Sequence, residues 1–120
     1  MAVGVIVDDN EKALNYSLSM IKDMGQFKEI YGFCYPEEAY SFIKQKGCDV
    51  LFVETEMKGM NCFVLINKLR KIYNNIFFII VMGREEYAYE ALQKDIMDYI
   101  LKPLSPKRIR ETLKRLRKYY

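Results

Sequence analysis

Three carboxylates and one lysine stand where short apolar runs end. Asp8 and Asp9 follow the run Val3 to Val7, Glu54 follows Val50 to Val53, and Lys102 follows Asp98 to Leu101. Two adjacent carboxylates repel each other unless a cation or solvent separates them. Hard oxygen donors of this kind suit Mg²⁺, which keeps several of its waters. Acids are equally at home in the first turn of a helix, where they favour the dipole, so the pair alone leaves both readings open. A carboxylate at the mouth of a buried strand is a candidate reaction centre or charge sensor. A lysine at the same rim can neutralise a carboxylate or a phosphoryl group, although an isolated Lys102-Pro103 is ordinarily a surface lysine ahead of a loop proline.

Composition removes several other chemistries. The chain has no histidine, which excludes a histidine general base and a phosphohistidine carrier. Cys34, Cys48 and Cys62 form no CxxC or Cys/His cluster, so neither a zinc site nor a disulfide framework is expected, and a reducing cytoplasm fits. No apolar run approaches the ~18 residues that span a bilayer. The N-terminus lacks a basic flank, so no signal peptide is expected. The 120 residues suit a single domain. A net charge of +3 is too mild to imply nucleic acid, but the segment from Lys107 onward is strongly basic.

The elements that position these side chains follow from periodicity and punctuation. Val3 to Val7 reads as a buried strand and Asn10 to Met24 as a helix with Leu14, Leu18 and Ile21 on one face. Gly25 is a candidate C-cap. Phe27 to Cys34 is a weaker strand. Pro36 opens a helix that runs to Lys46, with Ala39, Phe42 and Ile43 inward and Gly47 closing it. Asp49 to Val53 is the third strand. Asn61 caps a helix to Tyr73, with Leu65, Ile66, Leu69 and Ile72 facing the core. Ile76 to Val81 is apolar throughout and so covered on both faces. Glu85 to Lys94 is a short helix and Asp98 to Leu101 a strand. Ser105 and Pro106 then begin a final helix with an Ile109, Leu113, Leu116 stripe.

Five βα units with short loops predict an α/β fold, a doubly wound parallel sheet with helices on both sides. Ligands of such sheets sit at the carboxyl ends of the strands. Asp8, Asp9, Glu54, Met82 and Lys102 all fall at that rim.

The set resembles the receiver domain of two-component response regulators, over essentially the whole chain. VIVDDN matches the family's acidic-pair strand, and LFVETEMKGMNCF its phosphoacceptor segment. EEYAYEAL is similar to its fourth helix, and DYILKP to its fifth strand and lysine. The resemblance implies a flavodoxin-like (βα)5 sheet in strand order 2-1-3-4-5. It implies that Asp8, Asp9, the Glu54 carboxylate and the backbone carbonyl of Glu56 would hold Mg²⁺. Lys102 would pair with the acceptor. Met82 and Tyr99 would be the switch positions. The face made by the fourth helix, fifth strand and fifth helix, with Tyr87, Tyr89 and Tyr99, would carry a homodimer interface. A histidine kinase or phosphotransfer protein would be the partner, and DNA would be met only through an output domain outside these residues. Residues 1–120 would thus be one receiver domain, alone or as the N-terminal part of a longer regulator.

The chain departs from that pattern where the chemistry is done. Glu54 stands in place of the phosphorylated aspartate, Met82 in place of Thr or Ser, Lys58 in place of Pro and Cys62 in place of Gly. In-line attack needs the carboxylate oxygen ~3–3.5 Å from phosphorus, and a ~1 Å error can cost about a hundredfold in rate. Glu54 is one methylene longer than aspartate. Met82 offers a thioether in place of a hydroxyl donor. The expectation is therefore an atypical, non-enzymatic receiver that works without phosphorylation, binds Mg²⁺ weakly at most, and lets Glu54 reach Lys102 directly. Such a partly exposed ion pair contributes about 1 kcal/mol or less.

Two alternatives remain. One is a working Mg²⁺-dependent phosphoacceptor in a phosphorelay. The other is an FMN-binding flavodoxin-like protein, disfavoured because Asp8-Asp9 would repel the phosphate that a loop after the first strand must cradle. The basic last helix could meet phosphate backbones or a membrane. The favoured reading is a solvated face opposite the Ile109, Leu113, Leu116 stripe, with no membrane partner.

Overall fold

The computed structural model describes residues 1–83 and 95–119. Strand β1 (Val3–Val7) is followed by α1 (Glu11–Asp23), β2 (Glu29–Phe33), α2 (Pro36–Lys46), β3 (Val50–Glu54), α3 (Cys62–Arg70), β4 (Phe77–Met82) and β5 (Asp98–Leu101). The C-terminal helix (Pro106–Leu116) runs into a short 3₁₀ turn, Arg117–Tyr119. The expected helix from Glu85 to Lys94, with Tyr87 and Tyr89, lies outside the described residues.

All strand pairs are parallel, and the sheet order is β2-β1-β3-β4-β5. Side chains alternate across a strand, and the core divides accordingly. Val5, Val7, Leu51, Val53, Ile80 and Met82 pack under α2 and α3. Ile6, Val50, Phe52, Ile79, Val81 and Ile100 pack under α1 and the C-terminal helix. Continuous apolar runs are what a sheet covered on both faces requires.

Local punctuation explains the element ends. The Asn10 side chain accepts from the Ala13 amide at 2.9 Å, and Ser105 caps the C-terminal helix by accepting from the Arg108 amide at 3.2 Å. Gly47 ends α2 at φ +76°, a conformation that costs glycine little. Gly32 in β2 admits α1 closely: a Cβ there would come 3.0 Å from a Leu14 methyl carbon.

One helix is shorter than the sequence suggests. α3 stops at Arg70 rather than Tyr73, and Ile72 is 41% exposed instead of core-facing. The amides of Ile72 and Tyr73 both turn back to the Leu69 carbonyl, which ends the helical progression. The Tyr73 hydroxyl then donates to the Lys44 carbonyl at 2.9 Å, and this tyrosine covers the α2–β3 turn.

Candidate functional site

The carboxyl ends of β1, β3 and β5 bring two acids, Asp8 and Glu54, together with Lys102. Asp8 is buried just past β1, and its Oδ1 accepts from the Asn10 amide at 2.9 Å, which orients the side chain as α1 begins. Glu54 is the last residue of β3 and is only 6% exposed. Lys102 follows β5, and its amide donates to the Met82 carbonyl at 2.8 Å, which fixes where the lysine stem starts. The Lys102-Pro103 peptide is cis.

Lys102 Nζ lies 3.1 Å from Asp8 Oδ2 and 2.5 Å from Glu54 Oε2. One ammonium thus bridges two buried carboxylates from different strands. The contact to Glu54 Oε2 is a charge contact; among the described residues that oxygen accepts no well-aligned hydrogen bond. Partial burial works to lower the Lys102 pKa, but the nearby carboxylates of Glu54 and then Asp8 outweigh it. The lysine is therefore held above its ordinary range and stays protonated. Glu54 Oε1 accepts from the Thr55 hydroxyl at 3.2 Å and from the Glu56 amide at 3.3 Å.

Asp9 takes a different partner. Its Oδ2 accepts from the Lys58 backbone amide at 3.0 Å, across to the β3–α3 loop. Among the described residues no group of three or more Asp, Glu, Cys or His side chains is placed to hold a metal ion. The donor set as arranged does not fit Mg²⁺: Lys102 covers Asp8 and Glu54, and an amide covers Asp9.

Met82 ends β4 at the same rim, but its side chain turns inward. It is fully buried in the core under α2 and α3, on the other side of the sheet from Glu54. Strand alternation is the reason: Glu54 pairs in register with Val81, and Met82 is the next residue along. A void of about 10 Å³ beside Glu54 is lined by Asp8, Ser17 and Val81, among others, and not by Met82. The expected thioether beside the acceptor is thus corrected. The hydroxyl that does touch the carboxylate belongs to Thr55, which sequence reasoning passed over although it is the next residue.

Tyr99 is half-buried on β5 and packs against the α2/α3 core, so the structure separates it from the acid–lysine cluster. Its carbonyl accepts from Arg108 at 2.8 Å. Arg108 also grips buried Asp98 with two hydrogen bonds, at 3.1 and 3.0 Å, while the Thr112 hydroxyl donates to the same carboxylate at 2.6 Å. Arg115 adds a 3.2 Å ion pair. Two of the basic residues expected on a solvated face therefore fasten the C-terminal helix to β5. Lys107, Arg110, Lys114, Arg117 and Lys118 are exposed.

Comparison with known proteins agrees with this geometry. A family model described as the response regulator receiver domain matches residues 5–114. Sensory transduction protein LytT of Bacillus cereus is 30% identical over 115 residues, covering 95% of this chain and 47% of that protein. The chain spans about half the length of the LytT and LytR proteins it matches. The REC domain of AraT, a response regulator from Geobacillus stearothermophilus, superposes with a TM-score of 0.86 at 29% identity, covering 98% of this chain and 94% of that one. The response regulatory domain of mrkE from Klebsiella pneumoniae gives 0.85 at 25% identity, covering 99% and 97%. No helix among the described residues is long and apolar enough to cross a membrane.

Proposed function

This chain belongs to the response regulator receiver family, and we propose that within it the chain is an atypical receiver whose state is set without phosphorylation. The observation that carries this reading is the Lys102 bridge to Glu54 and Asp8. Lysine and acceptor are already joined, so the charge relationship that a phosphoryl group would alter is in place from the start. Glu54 brings one negative charge and two oxygens where a phosphoryl group brings about −2 and three. The imitation is partial, and the conformational balance is left to fixed residues and to partners.

In this role the chain is a signalling and interaction module of the cytoplasm rather than an enzyme. It controls transcription through an output domain, as the name of the Staphylococcus aureus relative, transcriptional regulatory protein LytR, suggests for that protein. Its partners are a histidine kinase or phosphotransfer protein that docks without transferring, and a second copy through the surface around β5 and the C-terminal helix.

Incubation with Mg²⁺ and acetyl phosphate, followed by intact mass measurement, tests the reading. The expected result is an unchanged mass; a phosphoryl adduct mapped to Glu54 overturns it. One observation favours the second reading, a working phosphoacceptor. The Thr55 hydroxyl lies 3.2 Å from Glu54 Oε1, where it could serve a phosphoryl oxygen. Thr55 is only 4% exposed and Glu54 only 6%, so the hydroxyl and the carboxylate it touches are both buried from an incoming phosphoryl donor.

A further inference from the structure

Each acid of the site has a partner supplied by the chain itself. Lys102 spans Asp8 and Glu54, and the third acid, Asp9, is taken by a backbone amide 49 residues away in sequence. That amide belongs to Lys58, on the loop between β3 and α3. The next residue, Gly59, sits at φ +90°, and a Cβ there would come 3.0 Å from Glu37 Oε1 of α2. The loop is thus tied to Asp9 on one side and leaves little room for a side chain at Gly59 on the α2 side.

A divalent ion binds carboxylate oxygens at about 2.0–2.1 Å for Mg²⁺ and demands near-octahedral approach. At Asp9 Oδ2 it would meet the positive end of the Lys58 N–H dipole, and at Asp8 and Glu54 it would meet an ammonium. We propose that the Lys58 backbone amide latches Asp9 to the β3–α3 loop and thereby keeps a divalent cation out of the rim. The latch depends on residue 58 having an N–H at all; a proline there has none. The lysine side chain is exposed and is not the working part. The inference rests on the reading of the rim as complete without a phosphoryl group. It is tested without any phosphoryl donor, so the two can fail separately.

The experiment is calorimetric titration of MgCl₂ into the wild-type chain and into Lys58→Pro and Lys58→Ala variants. Lys58→Pro removes the amide donor, and Lys58→Ala removes the charge but keeps the donor. Lys58→Pro is expected to bind Mg²⁺ about tenfold more tightly than wild type, because a hydrogen bond to a charged group has been released. Lys58→Ala is expected to match wild type. Adding Asp9→Asn to Lys58→Pro is expected to remove the gain. Equal affinity in Lys58→Pro and wild type overturns the latch. A gain in Lys58→Ala as large as that in Lys58→Pro also overturns it, since the ammonium would then be the barrier. Should proline unfold the chain, an ester link between Met57 and residue 58 lacks only the N–H and carries the same expectation.

Discussion

Glu54 and Met82 end neighbouring parallel strands yet point to opposite faces of the sheet. Glu54 faces α1 and the C-terminal helix, level with Val81, whereas Met82 is buried under α2 and α3. The thioether is therefore a core contact, and the chemistry of the rim is set by Glu54, Asp8, Asp9, Thr55 and Lys102.

Met82→Thr consequently acts on stability. It replaces a fully buried apolar side chain with a smaller one carrying a hydroxyl in the core under α2 and α3. A loss of about 1–3 kcal/mol is expected from burying the hydroxyl and opening space. Urea denaturation measures it. Acetyl phosphate is expected to leave the mass of this variant unchanged, as for wild type.

Much of this was legible in the sequence, because apolar runs and turn residues fix parallel strands strongly. The two-sided core and the meeting of Asp8, Glu54 and Lys102 at one rim follow from that regular alternation, whereas the strand order 2-1-3-4-5 follows only from the resemblance to receiver domains. Side-chain direction at strand ends was harder. Alternation from Ile80 puts the Met82 side chain in the core, although the residue ends its strand at the rim. Ile72 lies outside the core because helical spacing says nothing about where the backbone stops, and here the Leu69 carbonyl receives the turning amides. The grip on Asp98 was illegible, since a carboxylate on β5 and arginines on a later helix carry no spacing signal for one another.

Removing the bridging ammonium leaves two buried acids facing each other. Lys102→Met is expected to lower stability by about 1–3 kcal/mol, discounted from the cost of breaking a fully buried pair because the lysine is partly exposed. Glu54→Gln in the same chain is expected to recover part of the loss. Because Lys102 is held above its unfolded pKa of about 10.4, its contribution is full below that value and disappears as pH rises through the folded one. Alkaline unfolding is therefore expected to be steeper in wild type than in Lys102→Met.

Asp98 gives the opposite pH signature. Burial pushes its pKa up, but hydrogen bonds from Arg108 and Thr112 and the charges of Arg108 and Arg115 bring it below the ordinary carboxylate range. Its contribution is full above the unfolded value of about 3.9 and is lost as pH falls through the lower folded one. Asp98→Asn is expected to cost about 1–3 kcal/mol at neutral pH, since Arg108 and Arg115 are exposed enough to turn to solvent. It should also flatten the acid limb of the stability profile, read by thermal melts between pH 3 and 7.

The three thiols are expected to react in a fixed order. Cys48 is buried and its pKa is pushed up to about 12 by burial and then by Asp49, so it should resist iodoacetamide in the folded state. Cys62 is fully buried in the α3 core and should resist as well. Cys34 is half-exposed, with a pKa raised by burial and by the charges of Glu11, Asp8, Asp9 and Glu38. Peptide mapping after native alkylation should find Cys34 modified first and slowly, and all three modified at once in denaturant.

Shortening the acceptor tests whether reach is what closes the bridge. Glu54→Asp withdraws the carboxylate by one methylene, about 1.5 Å along the chain. The contact to Lys102 Nζ, now 2.5 Å, should loosen or break while Asp8 keeps its own 3.1 Å pair. Two consequences follow from one change. The melting temperature should fall by about 4 °C for each kcal/mol lost in a chain this size. The freed carboxylate should gain slow labelling by acetyl phosphate, because a nucleophile is no longer tied to an ammonium. A variant that melts lower yet never labels would place the barrier elsewhere in the rim, at Asp9 and the β3–α3 loop. A variant that labels without melting lower would mean that the Glu54–Lys102 contact contributes nothing to the fold and acts only to block the chemistry.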